Sequence, residues 1–205
     1  MALAREQGFP YWLALGTTLR GWALVEQGQG EEGIAQIRQG LAAYRATGAE
    51  LWRSRHLALL AEAYGKAEQA EEGLTALAEA LDAVDRTGER MYEAELYRLK
   101  GQLTLQKFQV SGSTFQVTNP QSLTPNPQAE AEAEACFHKA IEIARRQQAK
   151  SLELRAVMSL SRLWQQQGKR EEARQMLAEV YGWFTEGFDT ADLKEAKALL
   201  EELAH

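Results

Sequence analysis

The sequence contains little cysteine and few β-branched residues, and it has no long apolar run. Its single cysteine, Cys136, excludes an internal disulfide and suits a reducing compartment. Val and Ile are scarce beside Ala, Leu, Glu, Gln and Arg, which are good helix formers, so helices are expected and sheets are not. No apolar stretch approaches the roughly 18 residues that a membrane span requires, and the charged N-terminus lacks the apolar core of a signal peptide. We therefore expect an all-α protein of the cytoplasm that does not enter a membrane.

Residues that carry chemistry are also sparse. The GxxxxGK[ST] loop that cradles nucleotide phosphates is absent. Histidine occurs only at positions 56, 138 and 205, which is too dispersed for a zinc site. Cys136 and His138 are two residues apart on a predicted helix and therefore face different directions, which favours a packed thiol over a nucleophile. We predict no catalytic residue, no metal site and no cofactor, and hence a protein that is not an enzyme.

The balance of charge is acidic, with a formal net charge of -6. This sign argues against non-specific nucleic-acid binding, which needs a basic surface. Acidic pairs recur at the start of predicted helices: Glu31-Glu32, Glu71-Glu72 and Glu171-Glu172. Negative charge at a helix N-terminus complements the macrodipole, so we interpret these pairs as structural rather than catalytic.

What the sequence does contain is a repeat with a period of 40 residues. Gly8, Gly48 and Gly88 mark it, and Gln148 falls in the same phase after an insertion of about twenty residues. A second series marks the same period: Gly33, Gly73, Ala133 and Ala173. A fixed period of this size is typical of stacked repeat proteins, in which each repeat buries its apolar face against its neighbours. Such a protein offers a binding surface rather than an enzyme pocket.

Each repeat is predicted to form two helices. In the second repeat, Leu57, Leu60, Ala61 and Tyr64 lie at positions i, i+3, i+4 and i+7, which places them on one helical face. We expect a single domain over residues 1–205. Its parts are four repeats at about 9–48, 49–88, 89–148 and 149–187, and a capping helix at 189–204.

The third repeat is interrupted by an insertion over residues 108–128. The insertion is rich in Ser, Thr, Asn, Gln and Pro, and Pro120, Pro125 and Pro127 exclude a helix around them. We expect a mobile loop at one end of a helical hairpin. Two interpretations stay open. The loop is either a tolerated insertion, because closure entropy grows slowly with length, or a functional loop.

The N-terminal segment from Leu3 to Gly8 looks like the end of a second helix, but no first helix precedes it. We therefore expect the chain to be a fragment of a longer repeat protein, with an N-terminal repeat edge that could support an oligomer. The alternative is a short native N-terminal helix.

The spacing inside each repeat resembles that of the tetratricopeptide (TPR) repeat. The second repeat supplies the pattern Leu57, Leu60-Ala61, Tyr64, Gly73, Leu77 and Ala80, and the fourth supplies Val157, Leu160-Ser161, Trp164, Ala173, Leu177 and Val180. Small residues are expected where the two helices of a hairpin cross: Gly21, Gly33, Gly40, Gly73 and Gly101. The resemblance implies a right-handed α-α superhelix, a TPR-like solenoid of about four helical hairpins plus a C-terminal capping helix.

Three stretches carry a closer resemblance: Gly21–Leu24, Ala94–Gly101 and Trp183–Thr190. They are similar to the C-terminal TPR region of bacterial signalling proteins in which an adenylate or guanylate cyclase domain precedes a STAND-type ATPase. The resemblance implies a non-catalytic module that docks a protein or peptide segment, or the ATPase or cyclase domain of the same polypeptide. The alternative that it implies is a small-ligand-sensing arm of a STAND-type ATPase regulator.

In TPR arrays the first helices line a concave groove, and the resemblance implies which side chains face it. The candidates for a partner-binding groove are Trp22, Arg55, Glu62, Arg98, Gln102, Arg155, Arg162 and Gln165. We expect Trp22 to serve as an apolar anchor, and the arginines to contact carboxylates or phosphates. The alternative is that Arg98, Arg155 and Arg162 form surface salt bridges with nearby glutamates.

Overall fold

The computed structural model describes residues 2–113 and 126–205, and over these ranges its regular secondary structure is α-helical, without a strand. The helices are α1 (Ala2–Glu6), α2 (Pro10–Glu26), α3 (Gly30–Ala46), α4 (Arg53–Lys66), α5 (Ala70–Thr87), α6 (Glu93–Ser113), α7 (Pro127–Arg146), α8 (Lys150–Gln166), α9 (Arg170–Tyr181) and α10 (Ala191–Ala204). The pairs α2–α3, α4–α5, α6–α7 and α8–α9 fall in the predicted repeats, and α10 follows them. The predicted all-α class is confirmed.

The 40-residue period originates in one recurring turn. Gly8, Gly48 and Gly88 have φ angles of 69°, 75° and 72°, which lie in the left-handed region that glycine adopts without steric cost. Gly88 is the C-cap residue of α5, as its position predicted. Gln148 has a φ angle of 55°, so the fourth turn keeps the same backbone geometry without a glycine.

The helices of a hairpin approach closely because small residues stand at their crossing. A Cβ atom added to Gly21 on α2 would lie 2.6 Å from the carbonyl oxygen of Gly33 on α3, and a Cβ at Gly33 would lie 2.6 Å from that of Gly21. In the hairpin α6–α7, a Cβ at Gly101 would lie 2.6 Å from the ring of Phe137. Contacts this short require a shift of the helices at Gly21 and Gly33, and of the Phe137 ring or its helix at Gly101, so the prediction of close packing is confirmed at these three glycines.

The chain divides into two compact units. Compact unit 1 comprises Met1–Tyr92 with Gln106–Leu123, and compact unit 2 comprises Glu93–Leu105 with Thr124–His205. The largest fully buried side chains of compact unit 1 are Ile37, Tyr44, His56 and Leu77. Those of compact unit 2 include Leu96, Phe137, Leu154, Leu160, Leu163 and Leu177. The expectation of one continuous body over 1–205 stays a prediction.

The predicted bounds of the insertion at 108–128 were too wide. Helix α6 continues to Ser113, because no proline interrupts the chain before that point. Helix α7 begins at Pro127, and the side chain of Asn126 accepts hydrogen bonds from the backbone N–H groups of Gln128 and Ala129, both at 3.1 Å. The rest of the predicted loop, residues 114–125, lies outside the described residues, so its role as a tolerated or functional loop stays a prediction.

Candidate functional site

The first helices of compact unit 1 hold three of the predicted site residues in separate environments. Trp22 is half-buried, and its Nε1 is buried without an acceptor among the described residues. The guanidinium carbon of Arg55 lies 5.4 Å from the ring centroid of Trp52 and 5.5 Å from that of Tyr92, so its charge stacks between two aromatic rings. Glu62 lies 3.8 Å from the ammonium of Lys66, one helical turn away. The structure does not gather these residues into one cluster.

Compact unit 2 gathers three of the predicted residues around a single glutamate. Glu95 and Arg98 on α6 form a bidentate ion pair with N···O distances of 2.6 and 2.8 Å, and both side chains are less than one tenth exposed. Arg98 also donates to the side-chain oxygen of Gln102 at 2.7 Å. Arg155 on α8 reaches the same Oε1 of Glu95 at 2.9 Å and keeps 32% of its side chain exposed. We call Glu95, Arg98, Gln102 and Arg155 the Glu95 cluster.

The remaining two predicted residues lie further along α8 and do not belong to the Glu95 cluster. Arg162 is ion-paired with Glu195 of α10. Gln165 is half-buried near the end of α8. Arg98, Arg155 and Arg162 are thus all paired with glutamates of the chain, which is the arrangement that the alternative interpretation expected. Whether they also contact a partner stays a prediction.

Arg98 is the most deeply buried of the three arginines, and its predicted role as a polar contact in the groove stays a prediction. Its side chain is only 8% exposed, and its guanidinium is paired with Glu95 one turn earlier on the same helix. Sequence reasoning overlooked the central role of Glu95. Its signal was the i, i+3 spacing to Arg98, which brings opposite charges together on a helix. The stacking of Trp52 and Tyr92 on Arg55 was also overlooked, although the two aromatic residues stand one period apart.

Outside these clusters, the buried thiol of Cys136 is a poor candidate for a nucleophile. Burial raises the pKa of the Cys136 thiol and thereby keeps it protonated, so it is a weak nucleophile. Cys136 is buried, so the prediction of a packed thiol is confirmed, whereas His138 has half of its side chain exposed. Within the part of the chain that the structure describes, His, Cys, Asp and Glu side chains form no group of three that could hold a metal ion.

Over residues 2–113 and 126–205, no helix combines the length and the apolar character that a bilayer crossing requires.

Comparison with known proteins identifies the fold. No protein-family model matches the chain, and no curated protein matches it. Among solved structures, the chain is similar to the nearly identical TPR-like repeats of a Podosopora anserina protein described as a kinesin light chain. The TM-score is 0.62 at 17% identity, over 95% of this chain and 86% of that chain. A single-substitution variant of those repeats gives 0.61 at 17% identity, over 95% of this chain and 94% of that chain.

At this level of identity the likeness establishes the architecture alone. The chain has the fold of TPR-like helical repeats, so the TPR part of the predicted resemblance is confirmed. The link to cyclase and STAND-type ATPase proteins stays a prediction.

Proposed function

We propose that the chain is a non-catalytic protein-interaction module, and that the Glu95 cluster on α6 and α8 binds an acidic segment of its partner. The observation that carries the proposal is that Arg155, which contacts the carboxylate of Glu95, keeps about a third of its side chain exposed. Two guanidinium groups, Arg98 and Arg155, share one carboxylate. Arg155 therefore presents an accessible positive charge, in a chain whose net charge is -6.

Arg155 is the residue through which a partner would bind. About a third of its side chain is exposed, whereas Arg98 is buried. The guanidinium of Arg155 therefore has N–H groups that can reach a carboxylate of a docked segment while one of them remains on Glu95. Gln102 is exposed and accepts a hydrogen bond from Arg98, so its amide N–H₂ group is an additional donor in the Glu95 cluster. An aspartate, a glutamate or a C-terminal carboxylate of a peptide fits this arrangement.

The biological context of the proposal comes from the sequence resemblance. We place the module in a bacterial signalling protein, where its partner is a separate protein or the ATPase or cyclase domain of the same polypeptide. The TPR-like fold supports an interaction module in general. Leu3, Phe9 and Trp12 near the N-terminus are more than half exposed, which supports the expectation of an oligomer through this edge. The coding sequence that surrounds this segment would identify the neighbouring domains and test the context.

The binding proposal is tested with peptides rather than with an unidentified partner. A display library of random twelve-residue peptides is selected on the whole chain, and the affinity of the enriched peptides is measured by calorimetry. We expect enrichment of acidic peptides, and NMR shifts concentrated on α6 and α8. Arg155→Gln should weaken binding about three- to tenfold, because it removes one charge-assisted hydrogen bond while Arg98 stays paired with Glu95.

The matched control is Arg174→Gln in the same compact unit. Arg174 on α9 is 44% exposed and forms a bidentate pair with Glu171, so it resembles Arg155 in charge and exposure. We expect no change of affinity in this variant. Enriched peptides without acidic residues, or equal losses in the two variants, would contradict the proposal.

A further inference from the structure

Compact unit 1 contains a cavity of about 280 Å³ between α3, α4 and α5. The apolar part of its wall consists of Leu41 and Tyr44 from α3 and of Leu57 and Leu60 from α4. The hydroxyl group of Tyr44 donates to the backbone oxygen of Leu51, so it is already satisfied by the protein. The volume is close to the lower end of the range for ligand sites. The cavity therefore suits a small molecule with an apolar body.

The polar part of the cavity wall is dominated by arginine. Arg38, Arg45, Arg53 and Glu79 line it. A single oxygen of Glu79 accepts from Arg45 at 2.5 Å and from Arg53 at 2.6 Å. Arg53 also contacts Glu50, which lies outside the cavity wall, at 3.2 Å. Arg45 and Arg53 thus pair with the two carboxylates, and Arg38 adds a third positive charge to the cavity wall.

Arg38 and Arg45 are the two cations that a ligand could engage. The side chain of Arg38 forms no ion pair or hydrogen bond within residues 2–113 and 126–205, and it is exposed at the cavity. Arg45 keeps 63% of its side chain exposed, so its contact with Glu79 is screened by water and easily exchanged. Arg53 is only 14% exposed, and its hydrogen bond with Glu79 raises the pKa of its guanidinium, which keeps it charged.

We infer that this cavity binds a small amphipathic anion. Its apolar body packs against Leu41, Leu57 and Leu60, and its carboxylate or phosphate group accepts hydrogen bonds from Arg38 and Arg45. Guanidinium groups match both kinds of head group, because their N–H donors lie in a planar fork. The site goes beyond the proposed function. It belongs to compact unit 1 and is formed by the second helices α3 and α5 together with α4, whereas the Glu95 cluster belongs to compact unit 2 and is formed by α6 and α8.

The probes are four molecules with the same six-carbon chain, titrated into the whole chain by calorimetry at low salt. Hexanoate and hexyl phosphate carry the anionic head groups, and hexan-1-ol and hexylammonium replace them with a neutral and a cationic group. We expect both anions to bind more tightly than the alcohol, and the ammonium not to bind. The tighter of the two anions identifies the head group. Absence of binding by both anions, or equal binding of the alcohol, would overturn the inference.

Two variants localise the binding. Arg38→Gln should weaken it at least about threefold, because a charged donor is lost without breaking an internal ion pair. Ala42→Trp should abolish it, because Ala42 is an exposed residue of the cavity wall and an indole there fills the space. Arg20→Gln on α2 is the control, since Arg20 is exposed and does not line the cavity. Unfolding temperatures show that each variant is folded. Binding that survives Ala42→Trp, or that falls equally in Arg20→Gln, would assign the anion to another place.

Discussion

The two compact units contain the same kind of ion-pair cluster at different depths. In compact unit 1, Glu79 is shared by Arg45 and Arg53 and keeps 41% of its side chain exposed. In compact unit 2, Glu95 is shared by Arg98 and Arg155 and keeps only 6% exposed. An exposed ion pair is screened by water and contributes little to stability. A buried one becomes costly when a single partner is removed, because an uncompensated charge remains. Depth, rather than composition, therefore separates an exchangeable cluster from one that the fold depends on.

The units also differ in how they bury titratable groups. Compact unit 1 buries His56 without a hydrogen-bond partner among the described residues, with its ring 4.9 Å from that of Tyr44. Compact unit 2 buries Glu153 with two cations, and Arg145 and Lys150 both contact it at 2.7 Å. The first unit keeps its buried group neutral, and the second keeps its buried group charged and paired. The two units should therefore respond differently to acid.

The largest expected effect follows from breaking the deeper cluster. Arg98→Ala leaves Glu95 buried with only its contact to Arg155, which is about a third exposed, so we expect the free energy of unfolding of compact unit 2 to fall by about 3–5 kcal/mol. Denaturant unfolding monitored by hydrogen exchange of α6 and α8 measures this loss. Arg174→Ala removes an exposed bidentate pair in the same unit and should cost less than about 1 kcal/mol. Equal losses in the two variants would show that depth does not distinguish the clusters.

A fall in pH should lower the free energy of unfolding of compact unit 1 more than that of compact unit 2, by an amount between the effects of the other predictions. Burial, reinforced by the charge of Arg55, lowers the pKa of His56 from 6.5 to about 4. The unfolded chain therefore binds more protons than the folded one between these values. Acidification from pH 7 to pH 5 should destabilise compact unit 1 by about 2 kcal/mol, and the loss should end near pH 4.

The carboxyl group of Glu153 titrates at a lower pH than His56 does in the unfolded chain, so its effect on stability appears in stronger acid. Its burial acts to raise its pKa, but the hydrogen bonds from Lys150 and Arg145 outweigh burial and lower the pKa below the ordinary 4.5. A carboxylate of this kind stabilises the fold above its ordinary pKa and loses that contribution only in stronger acid. After correction for the slower intrinsic exchange in acid, hydrogen-exchange protection factors should therefore fall in α4 before α8 as the pH falls from 7 to 5. The control is His56→Leu, which should remove the pH dependence of α4. Persistence of that dependence would assign it to another group.

The comparison also explains what the sequence could and could not predict. The period and the hairpin crossings were predictable, because Gly48 and Gly88 are required by a left-handed turn and Gly21 and Gly33 by a close approach of two helices. These constraints are local to one repeat. The end of the insertion was less predictable. It depends on the side chain of Asn126, which caps α7, and the residue composition of the insertion does not reveal this single contact.

The position of an arginine on a helix was predictable, but its depth was not. The site prediction placed Arg98 and Arg155 on first helices, where the structure has them. The carboxylate of Glu95, which pairs with Arg98, is also contacted by Arg155, a residue 57 positions beyond Arg98 in the sequence. The cavity beside Glu79 was overlooked because the TPR pattern directs attention to first helices, whereas Arg38 and Arg45 belong to a second helix.

The smallest expected effect is the loss of stability when one partner of the exposed Glu79 is removed. Arg45→Ala removes one of the two partners of Glu79, but water and Arg53 still stabilise that carboxylate. We expect a loss of less than about 1 kcal/mol at low ionic strength, and almost none at about 1 M NaCl, where the Debye length shrinks to about 3 Å. Denaturant unfolding at the two salt concentrations measures the difference, and Arg98→Ala should keep most of its effect at high salt. A loss for Arg45→Ala that exceeds 1 kcal/mol and resists salt would place Glu79 among the structural ion pairs, and a ligand could not then displace Arg45 without destabilising compact unit 1.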